Sequence, residues 1–357
     1  MSIKTAIVGY GVTAQVMHAP FLATNPHYKV VAVLERHRQE SKHLFPHAQV
    51  VRTLNELLQQ DVALVIITTP NELHFDQAAA CLQAGKHVVL EKPFTVTSSE
   101  AEQLVQLAHE KELYLSPYHN RRYVADFRTV QQLLTQKALG NVHTYESHFH
   151  RYRPAAKPGA WREKEVPGAG VLYDLAPHLF DQVCCLFGPP QAITAQVTVQ
   201  RSHAVVPDWF DATLHYSQLN ARVSAGMLVR HPGPRMQVHG SAGSFLKWGE
   251  DVQEAQLKNG ALPDNKHWGK EPKNQWGRMY VDEGGVEQEQ VVPSLPGNFG
   301  LFYNHLFHTL TNGAPLAVRP EHGYNTIKLI ELAMQSSRER RTVDCTGLMH
   351  VPYSPNA

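Results

Sequence analysis

The sequence has no excess of charge of one sign. Its 33 lysine and arginine residues are nearly balanced by 32 aspartate and glutamate residues, and no long run of one sign occurs. This composition argues against nucleic acid or an anionic membrane as the main partner. No apolar stretch approaches the ~20 residues that cross a bilayer. Because the N-terminus leads directly into a predicted strand, we expect no signal peptide and a cytoplasmic protein.

Cysteine is scarce, and its spacing is not that of a metal site. Reduced thiols in a cytosolic protein are the simplest interpretation of the four cysteines, Cys81, Cys184, Cys185 and Cys345. The 22 histidines are scattered along the chain. His143, His148 and His150 are interpreted as one alternating strand face, and without an Asp/Cys cluster beside them we expect no metal.

The first 35 residues carry the most informative pattern in the chain. An apolar strand, Lys4–Val8, leads into a G-x-G-x-x-A turn, Gly9–Ala14, and a second strand, Lys29–Leu34, leads into Glu35. Gly9 permits a tight turn, Gly11 lets backbone approach a pyrophosphate, and Ala14 lets helix and strand pack closely. The helix N-terminus would offer N–H groups to the phosphates. The pattern predicts a dinucleotide-binding domain.

Strands and helices continue to alternate as far as residue 122. Apolar strands are predicted at 63–67, 87–90 and 113–116, and Ser99–Glu102 is interpreted as a capping box that begins a helix. After residue 122 the pattern changes to helices at 126–137, 171–187, 299–312 and 321–337, with mostly strands between 142 and 292. Residues 258–278 are interpreted as a long surface excursion.

The predicted fold class is therefore α/β with two domains. Residues 1–122 would form a Rossmann domain, a doubly wound parallel sheet, and residues 123–357 a C-terminal α+β domain with a large, mostly antiparallel open sheet. A chain of 357 residues also exceeds the usual size of one hydrophobic core. The second domain would bind substrate and mediate oligomerisation.

Four polar segments follow predicted strands and would converge at one edge of the first sheet, where ligands of open α/β sheets bind. They are Gly9–Ala14, Thr68–Asn71, Glu91–Pro93 and His119–Arg122. Lys92 would lie beside the nicotinamide, where its ammonium would polarise a substrate oxygen. The alternative is an ordinary surface lysine before a turn.

Asp174 and His178 are spaced to share one face of a helix. A carboxylate beside an imidazole orients it and stabilises its charged form, so the pair is a candidate general acid/base. Pro177 between them removes a helical N–H donor and indicates a first turn or a distortion. A solvated pair of the same spacing is the alternative.

Basic, amide and aromatic side chains cluster at three further places, and such residues suit a polyol substrate. Ion pairs buried between the domains are the alternative for any one of them. The members of these clusters are Asn120, Arg121, Arg122, Arg151, Tyr152, Trp161 and Arg162.

Together these segments resemble the Gfo/Idh/MocA family, named for glucose–fructose oxidoreductase and inositol dehydrogenase. The matching motifs are Gly9-x-Gly11, Thr69-Pro70-Asn71 with His74, Glu91-Lys92-Pro93, and Asp174-x-x-x-His178-x-x-Asp181. Three more segments, 118–122, 151–154 and 173–178, resemble the branch of the family that contains scyllo-inositol dehydrogenases.

The resemblance implies hydride transfer between NAD or NADP and a cyclic polyol or sugar, with Lys92, Asp174 and His178 as the catalytic set. It adds Tyr173 to the substrate contacts. The expected cofactor contacts are Gly9, Gly11, Val12, Thr13, Glu35, Arg36, Thr69, Pro70, Asn71, His74, Glu91 and Lys92.

The choice between NAD and NADP rests on two adjacent residues. Glu35 is placed to bond the ribose hydroxyls and would repel a 2′-phosphate, which favours NAD(H) slightly, whereas Arg36 would contact that phosphate or stack on adenine.

The expected protein is thus an NAD(P)-dependent oxidoreductase, and two other functions compete with it. They are an NAD-dependent glycosidase of the same fold and a non-catalytic nucleotide-sensing protein. A homodimer or homotetramer is expected, because an apolar face of the second sheet would otherwise be open to water.

Overall fold

A computed structural model describes residues 2–156 and 163–353. Its first sheet has six parallel strands in the order β3-β2-β1-β4-β5-β6. The order reverses at β1, which is the doubly wound topology that the alternating pattern predicts. The strands are β1 (Ile3–Val8), β2 (Tyr28–Leu34), β3 (Gln49–Val51), β4 (Leu64–Ile67), β5 (His87–Leu90) and β6 (Leu115–Pro117).

Helices pack against this sheet. The helices are α1 (Ala19–Thr24), α2 (Leu54–Leu58), α3 (His74–Gln83) and α4 (Ser98–Glu110). Capping side chains mark where α2 and α4 begin. The capping box of α4 is formed by Thr97 and Glu100, two residues before the predicted one, because Ser99 already lies inside the helix. A π-helical turn, Ala14–His18, precedes α1 and was not predicted.

The second sheet has nine strands in the order β14-β13-β12-β11-β7-β10-β9-β8-β15. In the described ranges β7 and β10 run parallel and the other neighbours antiparallel, so the prediction of a large, mostly antiparallel sheet is confirmed. Its strands are β7 (Val142–His150), β8 (Ala192–Thr198), β9 (Trp209–His215), β10 (Asn220–Gly226), β11 (Met236–Gly240), β12 (Gly243–Lys247), β13 (Gly277–Asp282), β14 (Glu287–Val292) and β15 (Val343–Asp344).

Five α-helices follow β6 in the described part of the chain, and one of them contacts both sheets. They are α5 (Ala125–Thr135), α6 (Gly170–Phe187), α7 (Gln253–Lys258), α8 (Gly300–Asn312) and α9 (Pro320–Glu339). Helix α9 packs against α4 and β6 on one side and against α6 and β8 on the other. The predicted domain boundary at residue 122 falls between β6 and α5 and stays a prediction.

The two faces of the second sheet differ. Apolar side chains such as Tyr145 and Phe210 are buried on the face against which α6 and α9 pack. The other face carries polar side chains that include Glu146, His148 and Arg222. The prediction of an apolar open face is therefore wrong, because the strands alternate apolar-in and polar-out.

Within the two described ranges, no helix has the length and apolar character that a membrane crossing requires.

Candidate active site

The glycine turn leaves a helix N-terminus open to solvent at the edge of the first sheet. Gly9 has φ = +83°, and a Cβ there would lie 3.1 Å from the Thr69 methyl group. A Cβ at Gly11 would meet nothing within 4 Å, and Val12 is 74% exposed. The Thr13 side chain makes no capping hydrogen bond. This turn fits a cofactor pyrophosphate, because the space beside Gly11 is open and a helix N-terminus favours phosphate oxygens.

Glu35, just after β2, bonds the turn that follows this strand. Its carboxylate is buried and accepts hydrogen bonds from the backbone N–H groups of Glu40 and Ser41 and from the Ser41 hydroxyl. The carboxylate oxygens thus bond the turn that follows the strand, and the predicted ribose contact stays a prediction. Arg36 and Arg38 on the same loop are exposed.

The loops after β4 and β5 are tied together by His74. One ring nitrogen lies 2.8 Å from the Pro93 carbonyl oxygen, and the other lies 2.9 Å from the Thr69 carbonyl oxygen. The ring is almost fully buried. Burial also lowers its pKa despite these carbonyl oxygens. His74 therefore holds the two loops that would flank a cofactor, while Pro70 beside it is exposed.

Two other predicted cofactor contacts are also buried. The Asn71 amide donates a 3.0 Å hydrogen bond to the Gly168 carbonyl oxygen just before α6. Glu91 bonds His18 and the Lys92 backbone N–H. Both side chains hold the loops of the site in place, and their predicted contact with the cofactor stays a prediction.

Lys92 joins the first domain to α6. Its ammonium donates hydrogen bonds to the Asp174 carbonyl oxygen at 2.8 Å and to the carboxylate oxygen Oδ1 at 3.0 Å. The lysine side chain is 14% exposed, and the peptide bond to Pro93 is cis. The described hydrogen bonds of Asp174 come from Lys92, and its predicted role of orienting His178 stays a prediction. Asp174 therefore fixes the lysine ammonium in the cleft between the domains.

His178 lies one turn after Asp174 and is almost fully buried. Burial lowers its pKa well below the ordinary 6.5, and the positive charges of Lys92 and Arg121 lower it further. The imidazole is thus neutral at pH 7, the form that accepts a proton. Among the described residues its Nδ1 atom has no hydrogen-bond partner. A neutral base therefore lies beside an ammonium group.

Three consecutive residues after β6 differ in their placement. His119 is buried, neither ring nitrogen has a described hydrogen-bond partner, and burial lowers its pKa to about 4. The Arg121 guanidinium bonds Glu254 at 2.6 Å and lowers the pKa of His178, so it borders the site. Asn120, which lies between His119 and Arg121 in the sequence, is also buried.

Arg122 does not contact substrate in this arrangement. It has no exposed surface, and it donates two hydrogen bonds, of 2.8 and 2.6 Å, to the Asp181 carboxylate and one to the Ala317 carbonyl oxygen. The sequence predicts a substrate contact, but the alternative of an ion pair between the domains describes Arg122 better.

The remaining predicted substrate residues divide into two groups. Tyr173 is half-buried, and its hydroxyl donates to the Val96 carbonyl oxygen at 3.0 Å. Tyr152 is exposed, and the Arg230 guanidinium lies 4.0 Å from its ring centroid, while the neighbouring Arg151 is partly exposed. Trp161 and Arg162 lie outside the described residues.

The histidines of β7 do not share one face as predicted. His148 and His150 stack with ring centroids 4.3 Å apart, whereas His143 has the opposite strand parity. No group of three or more potential metal ligands is found in residues 2–156 and 163–353.

Sequence reasoning missed several residues around the site. His119, two residues after β6, was placed at the ligand edge within the segment His119–Arg122 but was given no role there. His18 and Glu254 gave no signal in the sequence, because they meet Glu91 and Arg121 only through the tertiary fold.

A Rossmann domain with an open glycine turn, joined to a sheet domain that brings a neutral histidine to a lysine ammonium, defines a nicotinamide-dependent oxidoreductase. Residues 3–119 match the oxidoreductase family's NAD-binding Rossmann fold, and residues 131–345 match its C-terminal alpha/beta domain. The chain therefore belongs to the Gfo/Idh/MocA family, as the motifs predict. It is a dehydrogenase or reductase that acts on CH–OH groups and uses NAD or NADP.

Several known proteins are similar over nearly the whole chain. The scyllo-inositol 2-dehydrogenase (NADP(+)) IolW of Bacillus subtilis is 41% identical over 96% of both chains. The uncharacterized oxidoreductase YdgJ of Escherichia coli is 37% identical over 96% of this chain and 98% of its own. The solved structure of the Bacillus subtilis oxidoreductase yvaA matches with a TM-score of 0.94 at 41% identity, over 96% of this chain and 98% of that one.

Proposed function

We propose that this enzyme interconverts a secondary alcohol and a ketone on an inositol or a related cyclic polyol, with NADP(H) as its cofactor. The contact between Lys92 and Asp174 is the observation that carries the proposal. It brings α6 to the end of β5, so that the neutral His178 and the ammonium lie together at the ligand edge of the first sheet.

The proposed roles follow from the charge of each group. The Lys92 ammonium donates a hydrogen bond to the substrate oxygen, and His178 accepts the hydroxyl proton as the carbonyl forms. Asp174 keeps the ammonium in place. A bound nicotinamide would supply the acceptor for the hydride of the same carbon. In the reverse direction the protonated His178 returns its proton to the oxygen.

The proposed polyol matches the polar groups around this pair. Arg121 borders the site with its guanidinium held by Glu254, and both nitrogens of the nearby His119 have no hydrogen-bond partner in the described part of the chain. Vicinal ring hydroxyls donate and accept hydrogen bonds and suit such groups. The 41% identity to a scyllo-inositol 2-dehydrogenase supports an inositol in particular.

The proposed preference for NADP(H) reverses the slight preference for NAD(H) drawn from sequence. The Glu35 carboxylate is buried and bonds the backbone N–H groups of Glu40 and Ser41 in the loop after β2. Arg36 and Arg38 remain exposed there, and guanidinium groups bind phosphate oxygens in a bidentate manner. The NADP(+) in the name of the relative IolW supports the same choice.

We further propose that the enzyme is a homodimer or homotetramer formed through the open face of the second sheet. Opposite charges on that face, such as Asp211 and Arg222, suit self-complementary pairing. Together with Trp209 they line a cavity of about 240 Å³.

A substrate panel tests the proposed activity. The full-length protein is incubated with inositols, aldoses and the corresponding ketones, each with NAD(H) and with NADP(H). An aryl glycoside serves as a further substrate, because a glycosidase would release its aglycone. We expect turnover of scyllo-inositol or its ketone, fastest with NADP(H). Aglycone release, or no turnover of any polyol, would contradict the proposal.

A further inference from the structure

His18 forms a buried hydrogen-bonded network with residues from both domains. It ends the π-helical turn that follows the cofactor turn, and its side chain has no exposed surface. Its Nε2 atom lies 2.9 Å from Glu91 Oε1, and its Nδ1 atom lies 2.6 Å from the Tyr303 hydroxyl. The ring also packs on Tyr118, with centroids 4.2 Å apart. A π-helical turn inside a helix often marks a functional site.

The direction of the hydrogen bond between His18 and Glu91 follows from the charge on Glu91. Burial raises the pKa of this carboxyl, but its hydrogen bond to His18 and the nearby Lys92 outweigh burial and bring it below the ordinary value. The carboxylate therefore accepts, so His18 donates from Nε2. The other ring nitrogen, Nδ1, forms the hydrogen bond with the Tyr303 hydroxyl.

The network ends on the backbone of Lys92. The second oxygen of Glu91, Oε2, accepts a 2.8 Å hydrogen bond from the Lys92 N–H. Asp174 holds the ammonium at the other end of the same residue. The backbone of Lys92 is thus fixed through His18 in the helix of the cofactor turn and through Tyr303 in α8.

We propose that His18, Glu91 and Tyr303 are positioning residues that set the Lys92 backbone and link it to the cofactor-binding helix and the C-terminal domain. This inference rests on the proposed role of Lys92. The three side chains act through their hydrogen bonds and do not touch the substrate. A displacement of about 1 Å of a reacting group lowers a rate by roughly 10²-fold, so the network controls turnover through geometry.

Three variants separate the hydrogen bonds from simple packing. His18→Leu removes both bonds, and we expect kcat to fall about 10- to 100-fold, while KM and the Kd of NADP(H) change less than about twofold. His18→Gln keeps an N–H within reach of Glu91, so it should recover most of the rate. Tyr303→Phe keeps the ring and removes the hydroxyl that bonds His18, and we expect a smaller loss of kcat.

Tyr123→Phe is the matched control for the tyrosine variant. Tyr123 is also buried, and its hydroxyl lies 3.4 Å from His305, outside the network. This variant should keep the kcat of the unaltered enzyme.

Hydrogen exchange tests the network without activity. In the full chain without cofactor or substrate, the Lys92 amide should exchange at least about tenfold faster in His18→Leu than in the unaltered protein, because its acceptor Glu91 is no longer held. His18→Gln should restore slow exchange. If no polyol is turned over, the proposed function fails, but the exchange rates still decide this inference.

Two results would overturn the inference. One is an unchanged kcat and an unchanged Lys92 amide exchange rate in His18→Leu. The other is an equal loss in His18→Gln and His18→Leu, since this would show that only the shape of the ring matters.

Discussion

The protonation state of His178 depends strongly on its surroundings in the site. Burial and the charges of Lys92 and Arg121 keep its imidazole neutral well below pH 6.5. We therefore predict that kcat/KM for alcohol oxidation stays flat from pH 7.5 to below 6.5 and falls only at lower pH. Replacing His178 by Asn should remove that acid limb and lower kcat by about 10²–10⁴-fold, as loss of a general base does.

Kinetics and cofactor titration of His178→Asn and Lys92→Met separate the chemical step from cofactor binding. Lys92→Met should also lower kcat by about 10²–10⁴-fold. The Kd of NADP(H), measured by fluorescence titration, should stay within about twofold in both variants, because the pyrophosphate turn begins at Gly9. Normal turnover and an unchanged pH profile in His178→Asn would make the imidazole structural and Lys92 the first candidate for the proton acceptor.

The element that decides cofactor choice is the loop after β2. Arg36→Ala together with Arg38→Ala should lower kcat/KM for NADP about 10- to 100-fold and leave the value for NAD nearly unchanged, because charge-assisted bonds to the 2′-phosphate are lost. Arg338→Ala, at an exposed position in α9, is the control. Equal losses with both cofactors, or none, would show that these arginines do not meet the 2′-phosphate.

Glu35 gives the complementary result. Because its carboxylate caps the turn after β2, Glu35→Ser should lower stability by about 1 kcal/mol and leave the NADP/NAD ratio nearly unchanged. Thermal unfolding and kinetics with each cofactor measure the two effects. A large rise of the ratio towards NADP would mean that Glu35 faces the ribose after all.

Local patterns predicted most of the elements. The strand at 87–90 has the predicted bounds, because a short apolar run buried on both faces has few alternatives. The three-residue β3 (Gln49–Val51) was missed, since so short a run carries no periodicity. The π-helical turn was missed because it depends on tertiary contacts of His18.

The candidate site was predictable only in part. The position of Lys92 follows from the strand before it, and the shared face of Asp174 and His178 follows from helical spacing. The ion pair of Lys92 with Asp174 joins residues 82 positions apart, so no local pattern contains it. The direction of the Glu35 carboxylate could not be predicted from local sequence either. Both the ribose hydroxyls of a cofactor and the N–H groups of the following turn can donate hydrogen bonds to this carboxylate.

At the scale of the whole molecule, buried neutral histidines make stability depend on pH. The pKa of His119 is lowered from 6.5 to about 4, and that of His178 lies well below 6.5. Below pH 6.5 the unfolded chain binds protons that the folded chain does not. The free energy of unfolding should therefore fall as pH decreases, by up to about 1.4 kcal/mol per pH unit for each such histidine.

Thermal unfolding between pH 7.5 and 4.5 measures this dependence. His119→Gln should reduce the slope of Tm against pH below 6.5, and replacement of the exposed His231 by Gln should leave it unchanged. A Tm that does not change across this range would contradict the neutral state of these buried rings.

Self-association is a property of the whole molecule and can be measured in solution. Light scattering at micromolar concentration should give the mass of a dimer or a tetramer. Arg222→Glu should weaken assembly, because it places two negative charges together on the open sheet face beside Asp211. Arg338→Glu is the control on α9. A monomer mass for the unaltered chain would contradict the proposed oligomer.

The central claim is direct hydride transfer between a polyol carbon and NADP in a site that contains Lys92 and His178. The measurement is the mass of the cofactor after incubation of the enzyme with NADP⁺ and scyllo-inositol deuterated at its ring carbons, in ordinary water. We predict NADPH that carries one deuterium on its nicotinamide ring, formed by the unaltered enzyme and much more slowly by Lys92→Met. Unlabelled NADPH, or no NADPH with any deuterated polyol of the panel, would contradict the claim.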